Sequence, residues 1–370
     1  MDTGSWPVKI KENFMRVEEL NTPALILDMD RFRENGQRMQ RLMEGSRAHL
    51  RPHFKSHKCS RIAKLQMEEG AKGITCAKLA EAEVLVEAGI PDILIANQVV
   101  QPAKIAQLAY LARRTRITVC VDDPVNIQGL ERAAQLAGSR LYVYVELDVG
   151  MQRCGVSDFE RVLYLARQIQ KSGHLVFGGI QAYAGQLSHE EDIVKRNSEI
   201  HKIETLLRQG KAYLEQHHVT VKEISGASTA TAGEKAKGGV YTEIQAGSYL
   251  FMDTSYRECG LPFENAMSIA STIISKTDDR IVLDVGVKNL GMDQKEPQIA
   301  GQRTGDVLSF SEEHTAIYRN GIGSCNSTGS QMEIFPGHCC TTANTFDWIM
   351  IKEGGEIIDR WRIDGRGRSW

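Results

Sequence analysis

A basic octapeptide near the start of the chain carries the residues best suited to chemistry. It runs Arg51-Pro52-His53-Phe54-Lys55-Ser56-His57-Lys58 and follows a predicted strand, so that a lysine stands between two histidines. A lysine whose neighbours lower its pKa can form a Schiff base with an aldehyde, most often pyridoxal phosphate. A surface strand that ends in a basic turn has the same composition, so the octapeptide alone leaves both interpretations open.

The elements that must position this lysine alternate between two kinds of pattern. Short β-branched or apolar runs predict eight strands, at 49–55, 73–77, 92–98, 116–122, 140–150, 175–185, 221–228 and 241–249. Segments with apolar residues three and four positions apart predict helices between them, at 60–69, 78–88, 102–113, 124–137, 158–171 and 190–215. Such a count over roughly 250 residues predicts a (β/α)8 TIM barrel. The sequence has no Gly-x-Gly-x-x-Gly motif after the first strand, which argues against a dinucleotide-binding fold.

Polar residues follow seven of the eight predicted strands. In a barrel of this kind the active site lies at the C-terminal ends of the strands, so these residues are its candidates. They are His53 and Lys55, Cys76 and Lys78, Asn97 and Gln98, Asp148 to Arg153, Gln181 to Gly185, Ser225 to Thr229, and Gln245 to Tyr249. Each group alone is explained by ordinary loop composition, and the coincidence of seven favours a site.

The loops after strands seven and eight are rich in small residues. Barrel phosphate sites are commonly built there, because glycine lets backbone N–H groups approach an anion and hydroxyls add donors. The residues concerned are Gly226, Ser228, Thr229, Gly247 and Ser248. Ordinary tight turns have the same composition. The loops become informative because strand eight lies beside strand one in a closed barrel, next to the lysine.

The chain beyond about residue 262 predicts a β domain. Strand candidates there are 266–275, 280–283, 307–310, 349–351 and 356–361, and helix-like runs are missing. The strand candidate Ala24–Asp28 is expected to pair with this domain instead of the barrel. We therefore predict a barrel over 28–260, and a mainly-β domain formed by 1–27 with 261–370.

One segment of the β domain has metal-ligand character. His338 and Cys340 are two positions apart, which places both side chains on one face of an extended segment and suits two ligands of a zinc ion. A catalytic zinc normally has three protein ligands, so another residue, water or substrate must complete the shell. A buried cysteine beside a structural histidine is the alternative.

Composition restricts the partners. The 370 residues include 45 Lys and Arg against 47 Asp and Glu, which gives no positive excess for nucleic acid or a membrane surface and favours a small-molecule partner. Neither a membrane-spanning apolar run nor a signal-peptide core is found in the sequence, so we expect a cytoplasmic protein. The 8 cysteines lack a framework spacing and are expected to be reduced thiols.

Taken together, these motifs resemble the D-threonine aldolase and D-serine dehydratase family, whose members are pyridoxal phosphate enzymes with the alanine racemase type of fold (fold type III). The resemblance covers most of the chain, and its motifs occur in the family's order. They are the segments 22–28, 51–58, 148–156 and 245–253, and the His338/Cys340 segment.

The resemblance implies a role for each candidate residue. Lys55 would be the Schiff-base lysine, with Lys58 as the alternative, and His338 with Cys340 would hold a divalent metal, zinc or manganese. The remaining residues implied to bind the cofactor are His53, Arg153, Tyr183, Ser228, Thr229, Gly247, Ser248 and Tyr249. We expect His189 or His57 to act as the base on the substrate hydroxyl. The relatives also imply a homodimer.

The resemblance leaves the reaction open between two routes. Retro-aldol cleavage of a D-3-hydroxy amino acid would give glycine and an aldehyde, and the barrel motifs favour it. A D-serine or D-threo-3-hydroxyaspartate dehydratase would instead release ammonia and a keto acid. Aldolases tend to have Asp at the second ligand position, whereas this chain has Cys340 and so resembles the dehydratases there. A thiolate ligand favours zinc over manganese. An amino acid racemase and a non-catalytic cofactor carrier are further alternatives.

Overall fold

The computed structural model describes residues 15–319 and 327–370. The chain divides into two compact units. The first comprises the described residues up to Arg38 together with Ser248–Glu258 and Pro262–Arg366, and the second comprises Met39–Gly247, Cys259–Leu261 and Gly367–Trp370. The second unit holds the predicted barrel strands, and the first holds the C-terminal strands.

The secondary structure of the described residues is numbered in chain order. The strands are β1 (Met15–Arg16), β2 (Ala24–Asp28), β3 (His49–Leu50), β4 (Ile74–Cys76), β5 (Asp92–Gln98), β6 (Arg116–Val121), β7 (Leu141–Glu146), β8 (Leu175–Ala182), β9 (Glu223–Gly226), β10 (Glu243–Ile244), β11 (Met267–Lys276), β12 (Arg280–Leu283), β13 (Gln298–Ile299), β14 (Val307–Phe310), β15 (Thr315–Tyr318), β16 (Gln331–Phe335), β17 (Trp348–Glu353) and β18 (Glu356–Arg362). The α-helices are α1 (Met29–Met43), α2 (Ser60–Glu68), α3 (Leu79–Glu87), α4 (Pro102–Leu111), α5 (Pro124–Ala137), α6 (Phe159–Gln170), α7 (Ile193–Gln216), α8 (Ala232–Gly238), α9 (Thr254–Arg257) and α10 (Cys339–Ala343). Single 3-10 turns lie at Val17–Glu19, Phe54–Ser56, Gly185–Leu187, Thr229–Thr231 and Ser248–Leu250.

The second unit contains an eight-stranded parallel sheet, which confirms the (β/α)8 prediction. Its strand order is β3-β10-β9-β8-β7-β6-β5-β4. A parallel bridge between His53 and Thr75 joins the two end strands of this order. Strands one and eight are neighbours as expected, because Ile244 of β10 is paired with Leu50 of β3. The C-terminal ends of all eight strands therefore meet at one end of the sheet.

Local sequence signals explain why the helices of this unit begin and end where they do. Asp158 caps α6 by accepting a hydrogen bond from the Arg161 N–H at 2.9 Å. Pro124 stands at the first position of α5, and Gly138 ends that helix with φ +62°. The strands between the helices are buried on both faces, as parallel strands covered by helices must be.

A buried ionic network closes the N-terminal ends of the barrel strands. The guanidinium of Arg51 is 1% exposed, and it donates to Asp92 at 2.9 Å and to Glu243 at 2.8 Å. Lys72 and the Tyr144 hydroxyl also contact Glu243, at 3.0 and 3.2 Å. Burying these charges is tolerated because each one is paired.

The first unit is mainly β, as predicted, and β2 lies at the middle of its sheet. Strand β2 pairs antiparallel with β11 and parallel with β17, which confirms that the N-terminal strand joins the β domain. Strands β13, β15 and β16 were not predicted from the sequence. Strand β15 pairs with its hairpin neighbour β14 and with β12, whereas β16 pairs with β11 and β13, from which other strands separate it in the chain.

Two expectations from composition can be compared with the described residues. Within 15–319 and 327–370, no disulfide joins any of the cysteines, and Cys325 lies outside this range. The same residues contain no helix that is both long enough and apolar enough to cross a bilayer.

Candidate active site

A cavity of about 180 Å³ lies at the C-terminal ends of the barrel strands in the second unit. Five of the eight strands or the loops that follow them contribute polar lining residues. The lining consists of His53, Lys55, Ala77, Ala96, Asn97, Arg153, Cys154, Gln181, Tyr183 and Gln245. All of these except Ala77, Ala96 and Cys154 are candidates from the sequence. The cavity is therefore a polar site at the position that barrel enzymes use.

Two cations of the cavity flank one aromatic ring. The Lys55 Nζ atom lies 5.9 Å from the centroid of the Tyr183 ring, and the Arg153 guanidinium carbon lies 5.9 Å from the same centroid. Lys55 sits in the 3-10 turn Phe54–Ser56, and its backbone N–H donates to His53 Nδ1 at 3.3 Å. This turn follows the first strand and places the lysine side chain in the cavity lining.

His53 is a neutral imidazole at ordinary pH. Burial, and after it the positive charge of Lys55, holds the pKa of His53 well below its usual range. Because its Nδ1 accepts the Lys55 backbone N–H, the proton of the neutral ring is on Nε2. His53 therefore brings a neutral hydrogen-bond donor to the cavity instead of a third positive charge.

The loop that carries Arg153 is held by carboxylates. Asp148 Oδ1 accepts the backbone N–H groups of Gly150 and Met151, both at 2.9 Å. The Gly155 N–H donates to Asp122 at 2.9 Å, which ties the end of the loop to the neighbouring strand. These bonds position the arginine at the mouth of the cavity without using the guanidinium itself.

The loop after β9 was predicted to bind phosphate, and its Thr229 hydroxyl is the group that fits this prediction. Ala227 has φ +74°. A Cβ atom at position 226 would clash with the carbonyl of Ala182, so the glycine there lets the two neighbouring backbones approach closely. Ser228 begins the turn Thr229–Thr231 and is buried. The Thr229 hydroxyl is buried and has no hydrogen-bond partner among the described residues. A buried hydroxyl of this kind is ready to donate to a bound group such as a phosphate oxygen.

The other loop expected to bind phosphate is divided between the two units. Gly247 ends the second unit, where a side chain on it would clash with Ser56 Oγ. Ser248 and Tyr249 are buried and belong to the first unit. Tyr249 packs against Phe263 there, with ring centroids 5.9 Å apart.

Three basic residues predicted as candidates lie away from the cavity lining. Lys58 forms an ion pair with the buried Glu81 at 3.2 Å, which makes it a structural cation and leaves Lys55 as the cavity lysine. His57 is 1% exposed, and its Nδ1 accepts the Cys59 N–H at 3.1 Å. His189 is half-buried in the turn that follows Gly185–Leu187. Neither histidine is among the residues that line the cavity.

His338 and Cys340 lie together in the first unit, at the start of α10. Cys340 Sγ is 3.8 Å from the Ser248 hydroxyl and 4.0 Å from Cys339 Sγ. His338 Nδ1 is 2.8 Å from a carboxylate oxygen of Asp293, a residue that was not a candidate from the sequence. Nothing in the local sequence around Asp293 marks it as a partner of the histidine.

The neighbours of His338 shift its pKa in opposite directions. Burial would lower the pKa of His338, but Cys340, and after it Asp293, raise it to about 9. Burial would likewise raise the pKa of Asp293, but Thr341 and His338 hold it below its usual range. Among the described residues, no group of three or more His, Cys, Asp or Glu side chains is arranged to hold a metal. His338 and Cys340 therefore stay predicted metal ligands, and an imidazole with a thiolate is a donor pair that soft divalent ions prefer.

Comparison with known protein families gives two matches that together span most of the chain. The model of the alanine racemase N-terminal domain matches residues 27–255. A second model, of a serine dehydratase domain, matches residues 266–352. The boundary between the two matches falls close to the change from barrel strands to C-terminal strands.

Individual relatives are similar over nearly their whole length. A D-threonine aldolase from Arthrobacter sp is 37% identical over 355 residues, covering 95% of this chain and 94% of the relative. The crystal structure of a D-threonine aldolase from Filomicrobium marinum has a TM-score of 0.93 at 34% identity, covering 96% of this chain and 99% of that one. The D-threo-3-hydroxyaspartate dehydratase from Delftia sp. HT23 has a TM-score of 0.86 at 26% identity, with coverage of 96% and 100%.

Proposed function

This chain belongs to the D-threonine aldolase and D-serine dehydratase family, and from that premise we propose that it is a pyridoxal phosphate- and metal-dependent lyase that cleaves D-3-hydroxy amino acids to glycine and an aldehyde. The observation that carries the proposal is Lys55 in the cavity at the barrel strand ends, beside His53, Arg153 and Tyr183. The aldolases among the relatives favour the retro-aldol route.

The residues of the second unit fit pyridoxal phosphate. Lys55 would hold the cofactor covalently, and Arg153 would bind the phenolic oxygen of its ring. The Thr229 hydroxyl, which has no hydrogen-bond partner within 15–319 and 327–370, would bind its phosphate together with Gly226 and Ser228. When bound, the cofactor accepts the electron pair of the bond broken at the substrate's Cα.

The residues of the first unit fit a divalent metal. His338 and Cys340 would be its two protein ligands, with water or substrate in the other positions. A thiolate and an imidazole favour zinc over manganese, because soft ligands select softer ions. When bound, the metal lowers the pKa of an oxygen that coordinates it, here the substrate's β-hydroxyl. The Ser248 hydroxyl lies 3.8 Å from Cys340 Sγ within the same unit.

The proposed route needs one base and one acid on the protein. The base removes the β-hydroxyl proton as the Cα–Cβ bond breaks and the aldehyde leaves, and an acid then returns a proton to Cα to give glycine. His57 or His189 remains our prediction for the base. Replacing each with Gln and measuring turnover checks it, and unchanged turnover in both variants would contradict it.

A second candidate reaction is dehydration of the substrate with release of ammonia, and Cys340 is the observation that favours it. Dehydratases of the family tend to have Cys at this ligand position, and the Delftia structure similar to this chain is a D-threo-3-hydroxyaspartate dehydratase. In that reaction Lys55 would remove the Cα proton while hydroxide leaves from Cβ, and the released enamine would tautomerise to an imine that water hydrolyses to a keto acid and ammonia.

The experiment that tests the proposal measures both products in the same tubes. The purified protein is incubated with pyridoxal phosphate and zinc or manganese, against D-threonine, D-serine and D-threo-3-hydroxyaspartate. Glycine without ammonia supports the aldolase reaction, and ammonia without glycine supports the dehydratase reaction. Two controls test the roles of Lys55 and of the metal. The Lys55→Ala substitution and a metal chelator should each prevent the formation of both products. Turnover that survives the chelator would contradict the metal requirement.

The homodimer and the cytoplasmic location expected from the sequence remain predictions. Sedimentation velocity at working concentration checks the first, and a species of only 41.2 kDa would contradict it. Fractionation of the cells that produce the protein checks the second.

A further inference from the structure

The loop between β12 and β13 carries a carboxylate that contacts the proposed metal ligand His338. We propose that Asp293 is a positioning residue, which fixes His338 in the tautomer protonated on Nδ1 and so presents Nε2 to the metal. The inference rests on the proposed metal role of His338 and Cys340. Asp293 lies 45 positions from His338 in the chain and would not touch the metal itself.

Both oxygens of the Asp293 carboxylate are used. Oδ2 lies 2.8 Å from His338 Nδ1, and Oδ1 accepts the Thr341 hydroxyl at 2.7 Å. His338 is 18% exposed at its side chain and Asp293 is 46% exposed, so the contact is made at the edge of the protein interior. With the carboxylate held at two points, the imidazole ring has one preferred orientation.

The loop is shaped to bring Asp293 to this position. The His338 N–H donates to the Gly291 carbonyl at 3.0 Å, and the Gly291 N–H donates to Thr342 Oγ1 at 2.9 Å. A Cβ atom at Gly291 would clash with Thr341 Oγ1, and one at Gly337 would clash with the Lys295 carbonyl. Two glycines therefore allow the two segments to pack backbone against backbone, which sets the register of Asp293 opposite His338.

The chemistry of a histidine ligand explains why this contact matters. A neutral imidazole has one protonated nitrogen, and only the other nitrogen can bind a metal. A carboxylate is an acceptor only, so Asp293 requires a proton on Nδ1 and keeps the lone pair on Nε2. The negative charge also makes the ligand nitrogen more basic, and removing such a partner typically weakens metal binding by about 10–100-fold.

Asparagine at this position should be more harmful than its size suggests. The Thr341 hydroxyl donates to Oδ1, so it is expected to retain the amide oxygen of Asp293→Asn on its own side. The amide NH₂ group would then face Nδ1 and donate to it, which favours the wrong tautomer. Asp293→Ala leaves the ring free to choose either tautomer.

The test measures zinc affinity in the full-length protein loaded with pyridoxal phosphate, by competition with a chromophoric chelator. Asp293→Ala should bind zinc about 10–100-fold more weakly than the wild type, and Asp293→Asn at least as weakly as Asp293→Ala. Glu296→Gln is the matched control, because it removes a carboxylate from the same loop, where the Thr254 hydroxyl contacts the backbone carbonyl of Glu296 and not its carboxylate. Thermal unfolding of each variant by circular dichroism reports any loss of fold.

The outcomes separate this inference from the proposed function. Substituting cobalt for zinc gives a thiolate charge-transfer band, which should disappear in Cys340→Ser. A wild type that lacks this band and binds no zinc overturns the metal part of the proposed function. A wild type that binds zinc through Cys340, with both Asp293 variants within twofold of Glu296→Gln, overturns the role of Asp293 alone. Weaker zinc binding in the Asp293 variants, with unfolding unchanged, supports it.

Discussion

Replacing Arg51 with Met should destabilise the barrel strongly, although Arg51 lies at the opposite end of the strands from the cavity. The side chain is 1% exposed and makes three hydrogen bonds to carboxylate oxygens, two to Asp92 at 2.9 and 3.3 Å and one to Glu243 at 2.8 Å. Methionine fills a similar volume, so the main effect of the change is the loss of a buried positive charge.

The expected loss follows from what remains around the two carboxylates. Removing one partner of a buried ion pair costs about 3–5 kcal/mol, because the other charge stays buried. Here Glu243 keeps Lys72 at 3.0 Å, and Asp92 keeps Arg116 at 3.4 Å. We therefore expect the free energy of unfolding to fall by about 3 kcal/mol, at the lower end of that range.

The same substitution should change how stability depends on pH. Burial would raise the pKa of Glu243, but Arg51, and after it Lys72, hold the pKa below its usual value. The wild-type contribution of Glu243 is therefore fully present above its unfolded-state pKa and is lost as pH falls through the folded-state pKa. Without Arg51, burial should raise the folded-state pKa of Glu243. The destabilisation should therefore grow as pH rises, and a tenfold change in the proton affinity of this carboxyl corresponds to about 1.4 kcal/mol.

Urea unfolding followed by circular dichroism at pH 5 and pH 8 checks both parts. Arg116→Met is the matched control, because Arg116 also pairs with Asp92 but its side chain is 44% exposed, and it should lose only about 0–1 kcal/mol. The reasoning is refuted if Arg51→Met is no less stable than Arg116→Met. It is also refuted if the difference from wild type is larger at pH 5 than at pH 8.

Three further predictions concern Lys55 and the two loops predicted to bind phosphate. Lys55→Ala should lose the visible absorbance of the bound cofactor and reduce turnover on the order of 10³-fold, measured by spectrophotometry and product assay. Thr229→Val should weaken pyridoxal phosphate binding about 10-fold or more, measured by equilibrium dialysis, while Thr229→Ser should not, since a hydrogen bond to a charged group contributes about 1.5–3 kcal/mol. Gly247→Ala should destabilise by about 1–3 kcal/mol through the clash with Ser56 Oγ, measured by thermal unfolding, whereas Gly233→Ala, in a helix with Leu42 at an ordinary 3.4 Å, should not.

The barrel could be predicted from sequence because each of its signals is local. Strand 92–98 and helix 124–137 match the structure at both ends, since each segment carries its own apolar pattern and its own turn residues. The first strand was predicted through Lys55 but ends at Leu50. Pro52 has no N–H to donate to a neighbouring strand, and Phe54–Ser56 turn into a 3-10 helix instead. That departure from the strand pattern is what brings Lys55 into the cavity.

The features that were missed depend on partners far along the chain. Strand β16 pairs with β11 and β13, from which other strands separate it in the chain, and this pairing holds it in the sheet. Asp293 is a single acidic residue in a polar loop, and nothing about its neighbours distinguishes it from Glu296. Its relation to His338 arises because Gly291 and Gly337 let two distant segments pack closely. Residue types at short spacing could therefore identify the lysine and the two candidate metal ligands, whereas the carboxylate that would orient one of those ligands is visible only once the chain is folded.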